Sequence, residues 1–555
     1  MSSNNERGTD NQNALDSQRK MVEGSTWMTF GSIGSKLLGA LYIIPWMAWM
    51  GSQETAGAAN ALFQVGYTPY SYFLALATAG IPSAISQQVS HYNAIGEFET
   101  SKNIYKRALQ IMGITGLIAG LLMYVLAPAF SAASPNADVN DGITVIRSLV
   151  PALIIIPTMS VTRGFLQGHN TMKPSAVSQV IEQLARVVFM LASVYLIRQV
   201  MNGEVLTAVS LSTFAAFIGA LFSLIYLIYN VRRGDTALTK EPEESLNAVN
   251  VSTNELIKSI IITAIPFIVL STALTVSQFI DQFTYSPIME ATSNLSLEDI
   301  QLTYGVSHAN ANKLVMILVS FGSAMATTSI PLISEMVARQ DFRAVRKQFT
   351  SSFQLLLFIM IPASAGLALL AEPFYTVFYG FSEFGTSVTR VSAIIAFLWS
   401  LYALLTNFAK SVNIVKPMIW TLVLGLLLKL LIQYPFVSQF GVYGMLITTI
   451  IAFTVIVVTL AIFIHRKIDL NWDFIGRRML LIILMTVAMA MVVFLVNAII
   501  GQFVPADNRL MAVVRMGVSA LAGVAVYGYL ALKTRLADKL LGNNIAKVRE
   551  MLRIK

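Results

Sequence analysis

The sequence predicts an all-α polytopic membrane protein with 14 transmembrane helices: two six-helix lobes related by a parallel repeat, plus two extra C-terminal helices. Three observations predict it. Of 555 residues, 55% are apolar and only 12% charged, with a mean hydropathy of +0.66; soluble domains carry about 25% charged residues. Apolar runs of about 20 residues, enough to cross the hydrocarbon core as a helix, recur along the whole chain. Motifs of the first half return in the second at a nearly constant spacing. A β-barrel would instead alternate polar and apolar residues over segments of about 10, and that alternation is missing.

Residues 1–24 are polar and mixed in charge with no apolar core, so they read as a disordered cytoplasmic tail and not as a cleaved signal. Spans are expected at 25–50, 60–87, 107–130, 143–166, 175–199 and 206–230, an N-lobe over 25–230. Pro69, Gly80 and Pro82 interrupt the second. The charged stretch 231–254 reads as a cytoplasmic linker. Spans at 256–286, 309–335, 350–379, 388–409, 418–437 and 441–464 make a C-lobe over 255–465. Two more, at 479–501 and 511–532 within 476–533, have no counterpart in either lobe. In the cytoplasmic tail 534–555, Leu536, Leu540, Ile545, Val548 and Leu552 share one face with Lys and Arg opposite. That pattern suits an amphipathic helix on anionic membrane lipids.

Lys and Arg set the orientation. With the N-terminus inside, the inner connections hold most of them, while the outer connections hold Arg509 alone and are acidic at Asp138, Asp141, Glu290, Glu298 and Asp299. Both termini are therefore expected in the cytoplasm. The net charge of +9 lies in these connections, which argues against nucleic acid as a partner. Trp27, Trp46, Trp49, Trp399 and Trp420 are expected as interfacial anchors. Cysteine is absent, and His91, His169, His308 and His465 are scattered, so no metal site or cofactor is expected. No polar connection is long enough for a catalytic domain, so the chain does not read as an enzyme.

The repeat is concrete. Gln167, Lys173 and Pro174 are answered 243 positions later by Lys410, Lys416 and Pro417; Glu97-Phe98 is answered by Asp341-Phe342, and Phe130 by Phe374, at 244. Gly80-Ile81-Pro82 is answered by Ser329-Ile330-Pro331, at 249. Corresponding helices are an even number apart, so the halves share one topology. Parallel repeats of this kind mark transporters with the substrate site between the halves. Gly80, Pro82 and Pro331 are candidate hinges.

The stretch from Arg163 to Arg186 is the most informative. After a polar hairpin it re-enters an apolar helix carrying Gln179, Glu182, Gln183 and Arg186 at i, i+3, i+4 and i+7, one face of a helix. Charge inside a span costs about 2–3 kcal/mol on insertion scales, so this face should meet protein or water. Glu182 and Arg186 can form an ion pair along the helix or contact substrate. Arg163 can act as a gate, an edge anchor or a substrate contact. Lys36 and Lys313 also lie well inside apolar helices; each either faces a wet cavity, pairs with a carboxylate or carbonyl, or snorkels to an interface. Asp281 is the counter-charge of a cavity lysine, a cation site, or one half of a plain ion pair. Lys429 reads as a lone anchor.

Gly80-Ile81-Pro82-Ser83-Ala84-Ile85-Ser86 resembles the polysaccharide-exporter branch of the multidrug/oligosaccharidyl-lipid/polysaccharide exporter superfamily. Arg163-Gly-Phe-Leu-Gln-Gly168, Met172-Lys-Pro174, Ser178-Gln179 and Glu182-Gln183 with Arg186 resemble the Gram-positive lipid II flippase family, over residues 25–533. The resemblance implies two lobes around a central cavity in a monomer of the bacterial plasma membrane. Its cargo would be the undecaprenyl-diphosphate-linked precursor of peptidoglycan, lipid II, with the last two helices flanking a groove for the prenyl tail. Lys36 and Lys313 fall where the family carries cavity cations. Tyr42 and Leu74 stand where further arginines of the Gram-negative type would be. A flippase for another undecaprenyl-linked saccharide (capsule, teichoic acid, spore wall) and a cation-coupled multidrug exporter are the alternatives. The driving force is left open among membrane potential, sodium and protons.

Overall fold

The computed structural model describes residues 41–132, 138–233, 268–412, 414–503 and 508–541, apart from 79, 95, 170, 271 and 339, together with positions 27, 31, 34, 35, 38, 39, 549 and 551. Among these the regular structure is entirely helical, in two compact units, Met1–Thr275 and Val276–Lys555. Among the described residues ten helices are long and apolar enough to cross a membrane, and each falls on an expected span. The other four expected spans coincide with helices outside that set or lie partly beyond the described residues. Of the expected linker, only 231–233 are described.

The first unit contains α1 (Ile43–Met50), α2 (Gln53–Thr78), α3 (Ile81–Ala94), α4 (Phe98–Ala132), α5 (Val139–Ser148), α6 (Val150–Gly168), α7 (Met172–Val194) and α8 (Val205–Arg233). The expected span 60–87 is thus two helices. The chain turns between them on Gly80 at φ +73°, a conformation that costs other residues about 1–2 kcal/mol. Pro82 then sits in the first turn of α3, where its missing N–H costs nothing. The span at 143–166 begins earlier, at Val139, capped by the Asp138 carboxylate. It breaks at Leu149, ahead of Pro151.

A buried core of Tyr70, Met123, Ile146, Leu153, Leu166 and Ala220 joins α2, α4, α5, α6 and α8. Helix α7 packs along α8. A Cβ at Gly219 of α8 would lie 2.5 Å from the Glu182 carbonyl, so only glycine lets α8 close on the charged stretch of α7. Trp46 is not an interfacial anchor: it is buried, and its Nε1 donates to Ser212 Oγ at 3.0 Å.

The second unit contains α9 (Ala273–Thr292), α10 (Leu297–Gly305), α11 (Asn312–Ala338), α12 (Phe342–Leu369), α13 (Ala371–Tyr379), α14 (Glu383–Ser411), α15 (Val415–Phe440), α16 (Val442–Ile468), α17 (Trp472–Phe503), α18 (Arg509–Lys533) and α19 (Leu536–Leu541). Helix α14 is its axis. It is 72% buried over its apolar window, against 50% or less for every other candidate span. Trp399, on α14, is buried too, whereas Trp420 is 74% exposed. The triplet Ser329-Ile330-Pro331 lies inside the continuous α11, so the break at Gly80 has no equivalent there.

Neighbour order runs in parallel. In the first unit α6 packs on α3, α4 and α8, and α8 on α7; in the second α14 packs on α11, α12 and α16, and α16 on α15. Helices α17 and α18 pack on α12 and α13. Of the tail expected at 534–555, α19 is described, with Leu536 and Ala537 buried.

Candidate functional site

In the first unit the polar stripe of α7 is organised by an arginine from the preceding helix. Arg163, on α6, donates through Nη2 to Glu182 Oε2 at 2.7 Å and to Ser223 Oγ on α8 at 3.0 Å, and through Nε to Ser178 Oγ at 2.8 Å. One guanidinium fork therefore ties α6, α7 and α8 together, as its planar array of five donors permits. Glu182 is paired across helices with Arg163, not along α7 with Arg186. Arg163 is neither an exposed anchor nor a lone charge; its side chain is 14% exposed.

Arg186, one turn further along α7, keeps its charge unneutralised by any ion pair among the described residues. Its Nη1 donates to the Tyr67 hydroxyl at 3.4 Å, and its guanidinium lies 5.3 Å from the Tyr67 ring centre. A cation over an aromatic face gains about 0.5–2 kcal/mol. Tyr42 and Tyr70 also lie within electrostatic reach of it. Its Nε is buried with no acceptor among the described residues. The stripe thus carries one neutral pair and one surplus cation with a donor in reserve, which can meet an anion. Gln179 lies half-buried on the same helix.

In the second unit Asp281, on α9, is paired with Lys429 of α15 at 2.7 Å. Lys429 is fully buried and is not a lone anchor. Its ammonium also donates to Ser277 Oγ and Thr449 Oγ1, each at 2.8 Å. Gln433 Nε2 donates to Asp281 Oδ1 at 2.9 Å, and Thr448 Oγ1 to Gln433 Oε1 at 2.7 Å. Ser277 with Asp281, and Lys429 with Gln433, are each spaced i, i+4, so each pair shares a helix face. Those spacings were the available signal for this cluster. Lys313, at the start of α11, is half-buried. Lys36 lies outside the described residues. Among those residues no three His, Cys, Asp or Glu side chains gather as a metal site.

A third feature is apolar. A cavity of about 480 Å³ opens between α12, α17 and α18, lined by Phe358, Pro362, Met489, Val524, Tyr527 and Leu532 among others. Pro362 has no N–H, so it cannot satisfy the carbonyl four residues back, that of Phe358. Tyr527 does so from α18, donating its hydroxyl to Phe358 O at 2.7 Å. Arg515, also on α18, is buried and pairs with Glu372 of α13 at 3.1 Å, and its Nε donates to Asn497 of α17 at 2.9 Å.

The family model described as polysaccharide biosynthesis protein matches residues 21–337. The lipid II flippase MurJ of Bacillus subtilis (strain 168) is 32% identical over 539 residues, covering 95% of this chain and 97% of the relative. A solved structure of lipid II flippase MurJ in an inward closed conformation matches with a TM-score of 0.62 at 14% identity, covering 93% of this chain and 99% of that one. An outward-facing multidrug resistance MATE family transporter of the MOP superfamily matches with a TM-score of 0.59 at 15% identity, covering 81% of this chain and 96% of the other. At these identities the two structures speak to the fold.

Proposed function

This chain belongs to the polysaccharide biosynthesis protein family, and from that membership we propose that it is a lipid II flippase. It carries undecaprenyl-diphosphate-linked disaccharide-pentapeptide from the inner to the outer leaflet of the bacterial plasma membrane by alternating access. The observation that carries this reading is the match to a lipid II flippase along 95% of the chain.

The cargo has two ends with opposite demands. A diphosphate will not enter hydrocarbon without cations, and a prenyl chain will not leave hydrocarbon without an apolar surface. Arg186 supplies a surplus cation with a free donor, and Lys36 and Lys313 are the further contacts proposed for the diphosphate. Arg163, Glu182 and Gln179 hold and flank that face. The cavity of about 480 Å³ along α17 and α18 takes the prenyl tail. The finer architecture belongs to the same proposal: fourteen spans, two lobes related by a parallel repeat, both termini in the cytoplasm, and a monomer on anionic lipids. An anionic head moving out of an inside-negative cell gains about 2.3 kcal/mol per charge per 100 mV, so the membrane potential can drive export.

Depletion of the protein in its own cells tests this. Labelled lipid II should then accumulate on the inner leaflet; normal outward exposure would remove the proposal. Purified protein that prefers another undecaprenyl-linked saccharide would reassign the cargo. The likeness to a multidrug transporter supports a second reading as a drug exporter, which predicts drug sensitivity on depletion with precursor exposure unchanged.

A further inference from the structure

We propose that Lys429 is a built-in cation: its ammonium fills an oxygen cage on Asp281, so this carboxylate takes no sodium or other alkali ion from solution. Four oxygens surround Nζ. They are the Ser277 carbonyl at 3.1 Å, Ser277 Oγ at 2.8 Å, Asp281 Oδ2 at 2.7 Å and Thr449 Oγ1 at 2.8 Å. Carbonyl, hydroxyl and carboxylate oxygens are the ligand set that hard cations take. Here α9 and α16 supply it, and α15 supplies the cation.

The cluster is closed. An ammonium has three protons, and four oxygens meet them. The second carboxylate oxygen accepts from Gln433 Nε2 at 2.9 Å, and the Gln433 carbonyl oxygen accepts from Thr448 Oγ1 at 2.7 Å. One negative charge faces one positive charge, with Lys429 at 0% and Asp281 at 6% exposure. The space beside the pair, lined by Asp281, His308, Asn312, Ser392 and Thr449 among others, is about 40 Å³. That is room for only about three waters, at about 10–15 Å³ of such volume each. A dissolved cation entering here would have to displace a covalently tethered one, and two positive charges would then compete for one carboxylate.

A coupling ion does work only by binding one conformation better than another and then leaving. A tethered ammonium cannot leave. The inference deepens the transporter reading by removing sodium coupling through Asp281, and it does not depend on the cargo.

The test uses the purified full-length protein, with radioactive sodium binding and thermal unfolding measured in sodium, potassium and choline chloride. Wild type should bind no sodium above background and unfold at one temperature in all three salts. Lys429→Ala vacates the cage and should raise bound sodium about tenfold over wild type, with a higher unfolding temperature in sodium than in choline. Adding Asp281→Asn should abolish that response. Sodium binding by wild type that Asp281→Asn removes would overturn the proposal. So would a folded Lys429→Ala protein indifferent to sodium. If Lys429→Ala does not fold, the wild-type measurement decides alone. A wrong cargo would leave all these readouts unchanged and would surface in the flipping assay.

Discussion

Arg163 and Arg186 sit on consecutive helices of one hairpin and do different jobs. Arg163 is consumed by Glu182, Ser178 and Ser223. Arg186 has, among the described residues, only Tyr67 as a hydrogen-bonding side chain and holds its charge in reserve. Glu182→Ala strands the Arg163 guanidinium. Because the two side chains keep 14% and 26% exposure, the expected loss of stability is on the order of 1–3 kcal/mol, below the about 3–5 kcal/mol of a fully buried pair. Thermal unfolding in detergent measures it, and an unchanged unfolding temperature would refute the pairing. Arg186→Ala should lower stability by only about 0.5–2 kcal/mol, the worth of its contact with Tyr67, but weaken binding of undecaprenyl diphosphate by about tenfold or more, the worth of a charged hydrogen bond of about 1.5–3 kcal/mol. Unaltered affinity in an equilibrium binding assay would exclude Arg186 from the site. The stripe itself was legible because its spacing is helical. Its partners were not, since spacing along one helix says nothing of which neighbour closes on it. Lys429 was misread for the same reason: its partner Asp281 lies 148 residues away in sequence, and around it α15 is mostly apolar.

At the scale of elements, apolar runs located the ten candidate spans because hydrocarbon demands length and apolarity of every crossing helix. The breaks were harder. Leu149 divides what reads as one span, and the signs of it were local: Arg147 and Ser148 just before it and Pro151 two residues on. Gly80 was flagged together with Pro82, yet the structure gives them unlike parts: the glycine makes the turn, and the proline opens the next helix. Gly80→Ala should therefore cost about 1–2 kcal/mol, read as a lower unfolding temperature. An alanine variant as stable as wild type would mean that this turn tolerates an ordinary backbone. The paired motif at Pro331 lies inside the unbroken α11, so the two copies differ in backbone there. Sequence likeness between the halves thus carried their neighbour order further than their bends.

At the scale of the whole molecule, an apolar cavity opens between α12, α17 and α18, with Ala363 in its lining. Filling it should separate transport from folding. Ala363→Trp places a bulky ring in the space assigned to the prenyl tail; lipid II exposure should fall at least tenfold while the protein still inserts and unfolds near the wild-type temperature, overpacking at a cavity wall costing about 1–3 kcal/mol at most. Full complementation by this variant would move the tail elsewhere. The sequence reads the two terminal helices as having no counterpart in either half; the contacts that fasten them, the Arg515–Glu372 pair and a bond to one carbonyl, leave no pattern along the chain. Pro362 leaves the Phe358 oxygen bare within its own helix, and Tyr527 covers it from α18. Without α18 the Phe358 oxygen would need another partner, a neighbouring helix, a hydroxyl side chain or a water. The attachment of α18 is thereby written into α12 at position 362, where a residue with an amide hydrogen would leave the Tyr527 hydroxyl to compete for the same oxygen.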